Sequence, residues 1–587
     1  VNMQTEGISM QPYAEINASY GSFNAHKETV KFGTGLLKDH WAFDARLSNI
    51  GTDGYIDRAS VDLYSFYAQG GYFADNTSVK FITFGGKEKT YHAWNYATKE
   101  EMKKYGRRFN SCGMYTDDDG HIRFYKDQTD NYLQMNYQLL LNHTFSAAWN
   151  LNAALHYTKG DGYYQEYKED RSLKEYRLHP FMYDGKEVEK SDLIRQKKMD
   201  NHFGGGVFSV NYRNEKLDAS LGGALNYYDG WHFGRVIWVK NYIGKLLPDH
   251  EYYRNKAKKT DGNLYLKANY NLVAGLNAYA DLQYRYINYK IHGDNDKYDY
   301  NTDGLQKLAV NDHFNFFNPK AGLNWDIDSN NRVYASFSVA QKEPTRNNYT
   351  DGNADEYPKA EKLYDYELGY TYRNTWLSAG VNFYYMDYKD QLVLTGELNE
   401  IGEAMARNVP DSYRTGVELM LGVKPCRWFQ WDINGTLSKN RVKNFTEKLY
   451  EDEWKNPIEV EHGNTPIAFS PDFILNNRFS FSHKGFEAAL QSQYVSKQYM
   501  SNAKQAEQTL DAYFVSNLNL AYTFQLRHVK SVTVGFTIYN LFNEKYENNG
   551  YAGSGYTLKD GKPERYNYAG YAAQAGTNVM GNLSIRF

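Results

Sequence analysis

The stretch Trp376-Leu-Ser-Ala-Gly-Val-Asn-Phe-Tyr-Tyr385 decides the fold. Successive side chains of an extended chain point to opposite faces, so Leu377, Ala379, Val381, Phe383 and Tyr385 share one face while Ser378, Gly380, Asn382 and Tyr384 share the other. The period is two, not 3.6, and predicts a strand with one apolar and one polar face. Outward from this segment the pattern repeats. Phe429, Trp431, Ile433 and Leu437 alternate with Gln430, Asp432, Asn434 and Thr436; Val532, Val534, Phe536 and Ile538 alternate with Ser531, Thr533, Gly535 and Thr537. The chain ends in the same way, Val579, Leu583, Ile585 and Phe587 opposing Asn578, Asn582, Ser584 and Arg586.

The connections alternate between short and long. Tight turns rich in Asn, Asp, Gly or Lys are expected near Lys38-Asp39, Ala74-Asp75-Asn76, Asn214-Glu215-Lys216, Ala274-Gly275, Ser329-Asn330-Asn331, Asn374-Thr375 and Lys484-Gly485. Between them lie long polar connections near Tyr96-Asp130, Tyr167-Asp200, Arg235-Thr260, His292-Asp312, Arg346-Glu361, Asn444-Asn464 and Tyr551-Gly576. Segments counted between connections number about 22, which fits an all-β, antiparallel transmembrane barrel closed on itself, with short turns on one rim and long loops on the other.

Composition excludes other classes. In 587 residues there are 56 Tyr and 47 Gly against 12 Pro, and aromatics reach 17%, a bias towards strands rather than helices. No run of 18 apolar residues occurs, so no helical membrane span is expected. Lys and Arg number 67 against 70 Asp and Glu, a net charge of -3, which leaves no basic excess for a nucleic-acid backbone and argues against a nucleic-acid partner. The two cysteines, Cys112 and Cys426, stand far from any second thiol in sequence and exclude a disulfide-rich or thiolate-zinc scaffold. A soluble sandwich or propeller is the competing architecture; continuous apolar rows, Tyr and Trp gathered near strand ends, and the lack of a blade-length repeat favour the membrane barrel. No nucleophile elbow, phosphate loop, dinucleotide fingerprint or His-Glu-x-x-His motif is present, and no enzymatic activity is expected.

With these features in place, the chain resembles the barrel of TonB-dependent outer-membrane transporters, in particular the Bacteroidetes type. The resemblance rests on the order of Gly51-Thr-Asp-Gly-Tyr-Ile-Asp-Arg58, Tyr366-Glu-Leu-Gly-Tyr370, Gly416-Val-Glu-Leu419, Asn540-Leu-Phe-Asn-Glu-Lys-Tyr546 and Asn582-Leu-Ser-Ile-Arg-Phe587. It implies an outer-membrane location, tight turns in the periplasm and long loops outside. The terminal Phe587 is then the signal read by the barrel-assembly machinery, and outer-membrane lipids surround the wall. The family carries an N-terminal plug and a segment that engages the TonB complex. Val1-Asn-Met-Gln-Thr5 reads as the tail of that plug, with residues 1–10 leading into the first strand at Gln11-Ser22 and residues 11–587 forming the barrel, so the plug and any export signal are expected upstream of Val1. The family's function implies active import of a scarce metal chelate, in the first place a ferric siderophore; cobalamin or haem import, or a passive plugless diffusion pore, are the alternatives.

The resemblance implies that ligand binds at the external loops and the lumen wall above the plug. The third loop offers His92, Trp94, Tyr96, Arg107, Arg108, Tyr115 and Arg123; the fifth offers Trp231, His232, Arg235, Trp238, Tyr242, Tyr252, Tyr253 and Arg254; Arg346 and Tyr349 stand at the seventh. Planar guanidinium donors and flat aromatic faces suit an anionic, aromatic chelate. For haem, His92, His121, His232 and His313 are candidate axial ligands, but Lys342-Glu-Pro-Thr-Arg346 departs from the aromatic-Arg-Ala-Pro stretch that such receptors carry. No cofactor is required. A structural calcium could use Asp299, Asn301 and Asp303, which match the first half of an EF-hand loop; Val310 stands where its bidentate Glu belongs, so a solvated acidic loop is the preferred reading. Asp117-Asp118-Asp119-Gly120 is a weaker version. The large third loop is also where a surface lipoprotein lid would dock.

Overall fold

A computed structural model describes residues 7–242, 246, 250–300, 302–351, 357–399, 402–451 and 455–587. Among them, 22 antiparallel strands form one closed ring in chain order. The first, Pro12–Gly21, pairs with His26–Thr34 on one side and with the last, Asn578–Arg586, on the other, with Ile16 opposite Ile585 and Ala18 opposite Leu583. Closure leaves no free edge, the condition a sheet must meet in a bilayer. A further strand, Lys455–Pro466, adds to the upper part of Phe429–Glu451 above the ring.

One rim carries only short turns, and all seven expected tight turns fall on it. Gly275 illustrates the constraint: its φ is +80°, and a Cβ there would lie 2.4 Å from the carbonyl oxygen of Asp326 on the next hairpin. Beside this rim stand Trp41, Trp149, Trp325, Trp376 and Trp428, all exposed. On the same outward face Tyr157 lies eight residues above Trp149, roughly 27 Å at the rise of a strand. That distance matches the ~25 Å apolar band between aromatic girdles, and Leu155, Leu225, Leu264, Leu266 and Leu282 fill it.

The strands do not stop there. Trp149–Ser172, Lys190–Arg213 and Leu276–Asp299 each have 24 residues, whereas ~9–11 cross a bilayer. The excess rises as a wall above the membrane, and it corrects the expected loop bounds. Half of Tyr167-Asp200 is wall strand, the connection being confined to 173–189, and Arg235-Thr260 shortens to 240–250. Above the girdle neither face meets lipid, so the alternation that marks a strand in sequence fades.

The outer connections pack on one another. The third, 92–128, contains the helix Lys99–Tyr105 and the hairpin Met114–Thr116/Ile122–Phe124. Arg58, the last residue of the Gly51–Arg58 motif, holds this loop by lying 3.6 Å over the Phe124 ring. The eleventh, 540–577, is the hairpin Glu547–Lys559/Lys562–Ala573. Ala97 and Tyr571 bridge the two by paired backbone hydrogen bonds of 3.3 and 2.8 Å. The Asn540 side chain caps the start of the eleventh, accepting from the Glu544 amide at 2.8 Å and donating to the Ala575 carbonyl at 2.9 Å.

Candidate functional site

Register assigns the faces of the upper wall. Leu155 and Tyr157 point outward, so Tyr164 and Glu166, of opposite parity on the same strand, point into the barrel. Their direct cross-strand partners are Lys197 and Arg195, which therefore point inward as well. Glu166 is 2% and Arg195 3% exposed. Arg195 donates through Nε and Nη2 to Glu166 Oε2, both at 2.9 Å, and Lys168 reaches Oε1 at 3.2 Å. Lys197 pairs with Asp296, and its ammonium lies 5.5 Å from the Tyr164 ring centre. Buried charges of this kind persist only when paired.

The third connection comes down on this patch. His92 stacks on Trp94 at 3.8 Å, and the Tyr164 ring meets both edge-on at 6.0 and 5.8 Å. Burial lowers the His92 pKa to about 4, against the pull of Glu166, so its ring is neutral at pH 7. From the seventh connection, the short helix Arg346–Thr350 places Arg346 over the same wall, where Nη2 donates to Asn255 Oδ1 at 2.7 Å. Tyr349 donates to Asp312 at 2.7 Å and packs edge-on against Tyr289; burial and that carboxylate raise its pKa. Both ring nitrogens of His92, the Tyr164 and Tyr252 hydroxyls, His232 Nε2 and Arg346 Nη1 are buried without a hydrogen-bond partner. Lying beneath the flat faces of Trp94 and Tyr164, these unpartnered donors and acceptors are of the chemistry that an oxygen-rich, planar ligand reaching them would satisfy.

A second hollow of about 460 Å³ lies between the seventh, tenth (496–512) and eleventh connections, lined among others by Tyr357, Arg407, Glu447, Lys448 and Asn502. Glu447 is held there by Arg565 at 2.6 Å and His462 at 2.8 Å. None of these residues stood among the sequence candidates, because the segments that carry them read as undifferentiated polar loop.

The sequence candidates separate into groups. Trp94, His232, Arg346 and Tyr349 gather at the inner patch. Tyr96 and Arg107 dock the third connection on the eleventh: Tyr96 accepts from Asn549 at 3.3 Å, while Arg107 pairs with Glu547 and donates to the Tyr546 carbonyl at 3.0 Å. Arg108 turns to Asp57 at 3.1 Å and Arg123 to Asp117 at 2.8 Å. Trp231, His232 and Trp238 lie on the strand Leu217–Val239, not in a loop. Trp231 shares the outward face with Asp200 and Lys256, and Trp238 packs with Tyr115 around Tyr167, also outward.

Of the four candidate haem ligands, His92 is buried and His232 half-buried inside, whereas His121 and His313 are exposed. Asp299 accepts from Thr302 at 2.9 Å, Asp303 from Tyr298 at 2.6 Å and Lys174 at 3.1 Å, and Asn301 lies outside the described residues. Among the described residues Asp117, Asp119 and His121 have ligand atoms within 4.8 Å of one another, in an exposed turn already occupied by Arg123. Cys112 and Cys426 are free, and burial raises the Cys112 pKa to about 11.

Comparison with known proteins places this geometry. Residues 64–541 match the family model described as TonB dependent receptor-like, beta-barrel. The pesticin receptor of Yersinia enterocolitica is 24% identical over 225 residues, 38% of this chain and 30% of that protein, so the match spans under a third of the curated relative. Three solved structures share the fold. The ferric yersiniabactin uptake receptor of Yersinia pestis superposes with a TM-score of 0.70 at 15% identity, over 99% of this chain and 81% of that one. The siderophore receptor PiuA of Acinetobacter baumannii gives 0.71 at 11%, over 99% and 82%. The copper transporter OprC gives 0.70 at 12%, over 100% and 82%.

Proposed function

The chain belongs to the TonB-dependent receptor-like β-barrel family, and from that premise we propose that it forms the outer-membrane wall and capture surface of an active importer of a metal chelate, in the first place a ferric siderophore, and not an enzyme. The observation that carries this reading is the inner patch. Arg346, His92, His232 and Tyr164 turn unpartnered polar atoms inward beside the stacked Trp94 ring, a surface that complements catecholate or carboxylate oxygens and an aromatic ligand face. The yersiniabactin and PiuA receptors, named for ferric siderophores or siderophores, support the cargo class. Haem fits less well, since two of the four candidate histidines, His121 and His313, are exposed away from the patch, and Lys342-Glu-Pro-Thr-Arg346 departs from the stretch that haem receptors carry.

Coupling to the TonB complex through a region outside the barrel, with residues 1–10 as the lead into it, completes the reading. The outer membrane holds no nucleotide supply, so a captured ligand has to be released by energy delivered from the periplasmic side. Assembly through the terminal strand ending at Phe587, and a surface lipoprotein resting on the third connection, belong to the same proposal; so does the Bacteroidetes affinity, which stands on the sequence motifs alone. We read the Asp299/Asp303 loop as a solvated turn tied to Lys174 rather than as a calcium site.

The test is ligand titration of the purified full-length protein, followed by tryptophan fluorescence, with ferric catecholate, ferric hydroxycarboxylate, cobalamin and haem. Saturable binding of a ferric chelate, weakened about tenfold or more by Arg346→Ala, is the expected result. Ohmic conductance in a planar bilayer with no saturable binding would replace the importer by a pore.

A further inference from the structure

Arg346 differs from four other cations that line the inner wall. Arg195 is closed by Glu166, Lys197 by Asp296, Lys259 by Glu343, and Arg285 by Asp261 and Glu343. Each of those four charges meets a carboxylate, the condition under which a wall can bury it. Arg346 instead donates through Nη2 to a neutral amide, Asn255 Oδ1, at 2.7 Å, and its Nη1 is buried with no hydrogen-bond partner.

The groups around Arg346 are uncharged as well. His232 is the direct cross-strand partner of Asn255, and burial together with the Arg346 charge brings its pKa down to about 3, so its ring is neutral at pH 7. The phenols of Tyr228 and Tyr289 lie beside the guanidinium. Acids on the next two strands are engaged elsewhere: Asp294 accepts from Arg177 at 2.5 Å and from Lys307, and Asp312 from Tyr349 at 2.7 Å and Tyr357 at 3.0 Å.

The backbone accounts for an amide at this position. Asn255 is 1% exposed, and its Nδ2 donates to the carbonyl of Asp294 at 2.8 Å. Gly293, directly opposite, has a φ of +121° and lets the strands approach so closely that a Cβ there would lie 2.8 Å from Asn255 Cα. One side chain must therefore donate to a carbonyl and accept from a guanidinium. An amide does both, whereas a carboxylate in the same pose would set an oxygen against the Asp294 carbonyl.

Resting on the capture reading above, we propose that Asn255 sets the charge selectivity of the inner patch: it holds Arg346 without neutralising it, so the partner that the guanidinium lacks is an anionic oxygen of the cargo. Asn255 is a positioning residue in this scheme and acts through Arg346. A chelate that is anionic where it meets Arg346 is favoured over a neutral one of the same shape.

The full-length protein is titrated by tryptophan fluorescence with two iron-free probes of one shape, 2,3-dihydroxybenzoate and 2,3-dihydroxybenzamide, which differ in charge, and with a ferric tris-catecholate. The benzoate is expected to bind about tenfold more tightly than the benzamide. Asn255→Asp neutralises Arg346 from within and should bring that ratio to about one. Asn255→Ala leaves the guanidinium charged but unheld, and should weaken the benzoate about threefold while keeping the preference. An Asn255 that only supports the fold would weaken both probes alike in both variants. Equal affinities in the unmodified protein, no binding of either probe, or an unchanged ratio in Asn255→Asp overturns the assignment. If Asn255→Asp does not fold, as heat-modifiable migration on gels reports, Arg346→Gln removes the same charge and must collapse the ratio in the same way. Absence of ferric-chelate binding with the probe ratio intact would remove the importer and leave the anion site. A ferric chelate bound equally by the unmodified protein and Asn255→Asp would do the reverse.

Discussion

On the inner face of the wall above the membrane, Glu166 lies between Arg195 and Lys168; on the outer face of the same sheet, Lys258 stands between Asp229, 3.9 Å away, and Lys290, which has no ion pair among the described residues. Both faces are charged, and they treat charge in opposite ways. Inside the upper wall, buried and half-buried charges are closed by partners on neighbouring strands or loops: Lys197 by Asp296, and Arg285 by Asp261 and by Glu343 at 3.0 Å. The inner ion pairs therefore fix the wall and leave Arg346, neutral donors and aromatic faces to meet a ligand. Outside, water and headgroups can solvate a cation, so pairing is optional: Lys290 and Lys362 have no ion pair among the described residues, although each faces a lysine on the next strand.

The contrast is broken most severely at Glu166. Glu166→Ala leaves Arg195 and Lys168 buried or half-buried without an anion, a cost of about 3–5 kcal/mol. Hydrogen exchange of the strands Trp149–Ser172 and Lys190–Arg213 should rise accordingly above the girdle and stay unchanged below it. The uncharged double Glu166→Gln/Arg195→Gln should restore much of the protection; if the single and double variants open equally, the pair is not what holds the wall.

The outer face has its own boundary, and a cation placed on either side of it measures where it lies. Leu266→Arg puts a charge at mid-height of the apolar band and should destabilise the barrel by about 2–4 kcal/mol in lipid. Asn288→Arg, higher on the same face, should cost close to nothing. Equal costs in a refolding titration would move the girdle from Tyr284 and Tyr286.

Much of this division could be read in the sequence, and the part that could not has a physical cause. Between the girdles lipid and lumen impose strict alternation, so strand number, closure and all the tight turns followed from Leu377–Tyr385 and its counterparts. Above the girdles that pressure disappears: Lys197, Lys198 and Met199 read as loop although they are strand. Facing then depends on register, and bulges at Ser191/Leu193, Ile194/Arg195 and Gly234/Arg235 shift it locally. Residue type alone could therefore place His232 and Arg346 among ligand candidates, yet it could not separate them from Trp231 and Trp238, which point the other way. Glu166 and Arg195 gave no signal, because a buried ion pair needs two strands to exist.

The stack beneath the third connection adds a pH axis to the inner face. His92 has a folded-state pKa of about 4 against 6.5 when exposed, so the opened loop binds the proton and the closed loop does not. Closure is then fully favourable above pH 6.5 and weakens as pH falls towards 4. Each pH unit inside that window should raise the opening equilibrium of residues 92–98 by up to about tenfold. His92→Phe, which keeps the stack on Trp94, should remove this dependence, and exchange that still accelerates on acidification would assign it to another group.

The smallest expected effect tests whether the two loops that roof the inner patch depend on each other. Arg107 and Glu547 are partly exposed, so loss of their ion pair should cost only about 1 kcal/mol, although Arg107 also donates to the Tyr546 carbonyl. The Ala97–Tyr571 backbone bridge remains in Arg107→Ala, and the loops should stay docked but exchange a few times faster. If instead the eleventh hairpin became freely exchanging, the side-chain pair rather than the bridge would be the latch. The roof would then share the logic of the buried wall, where one paired charge decides whether the structure closes, instead of that of the exposed face, where pairing is dispensable.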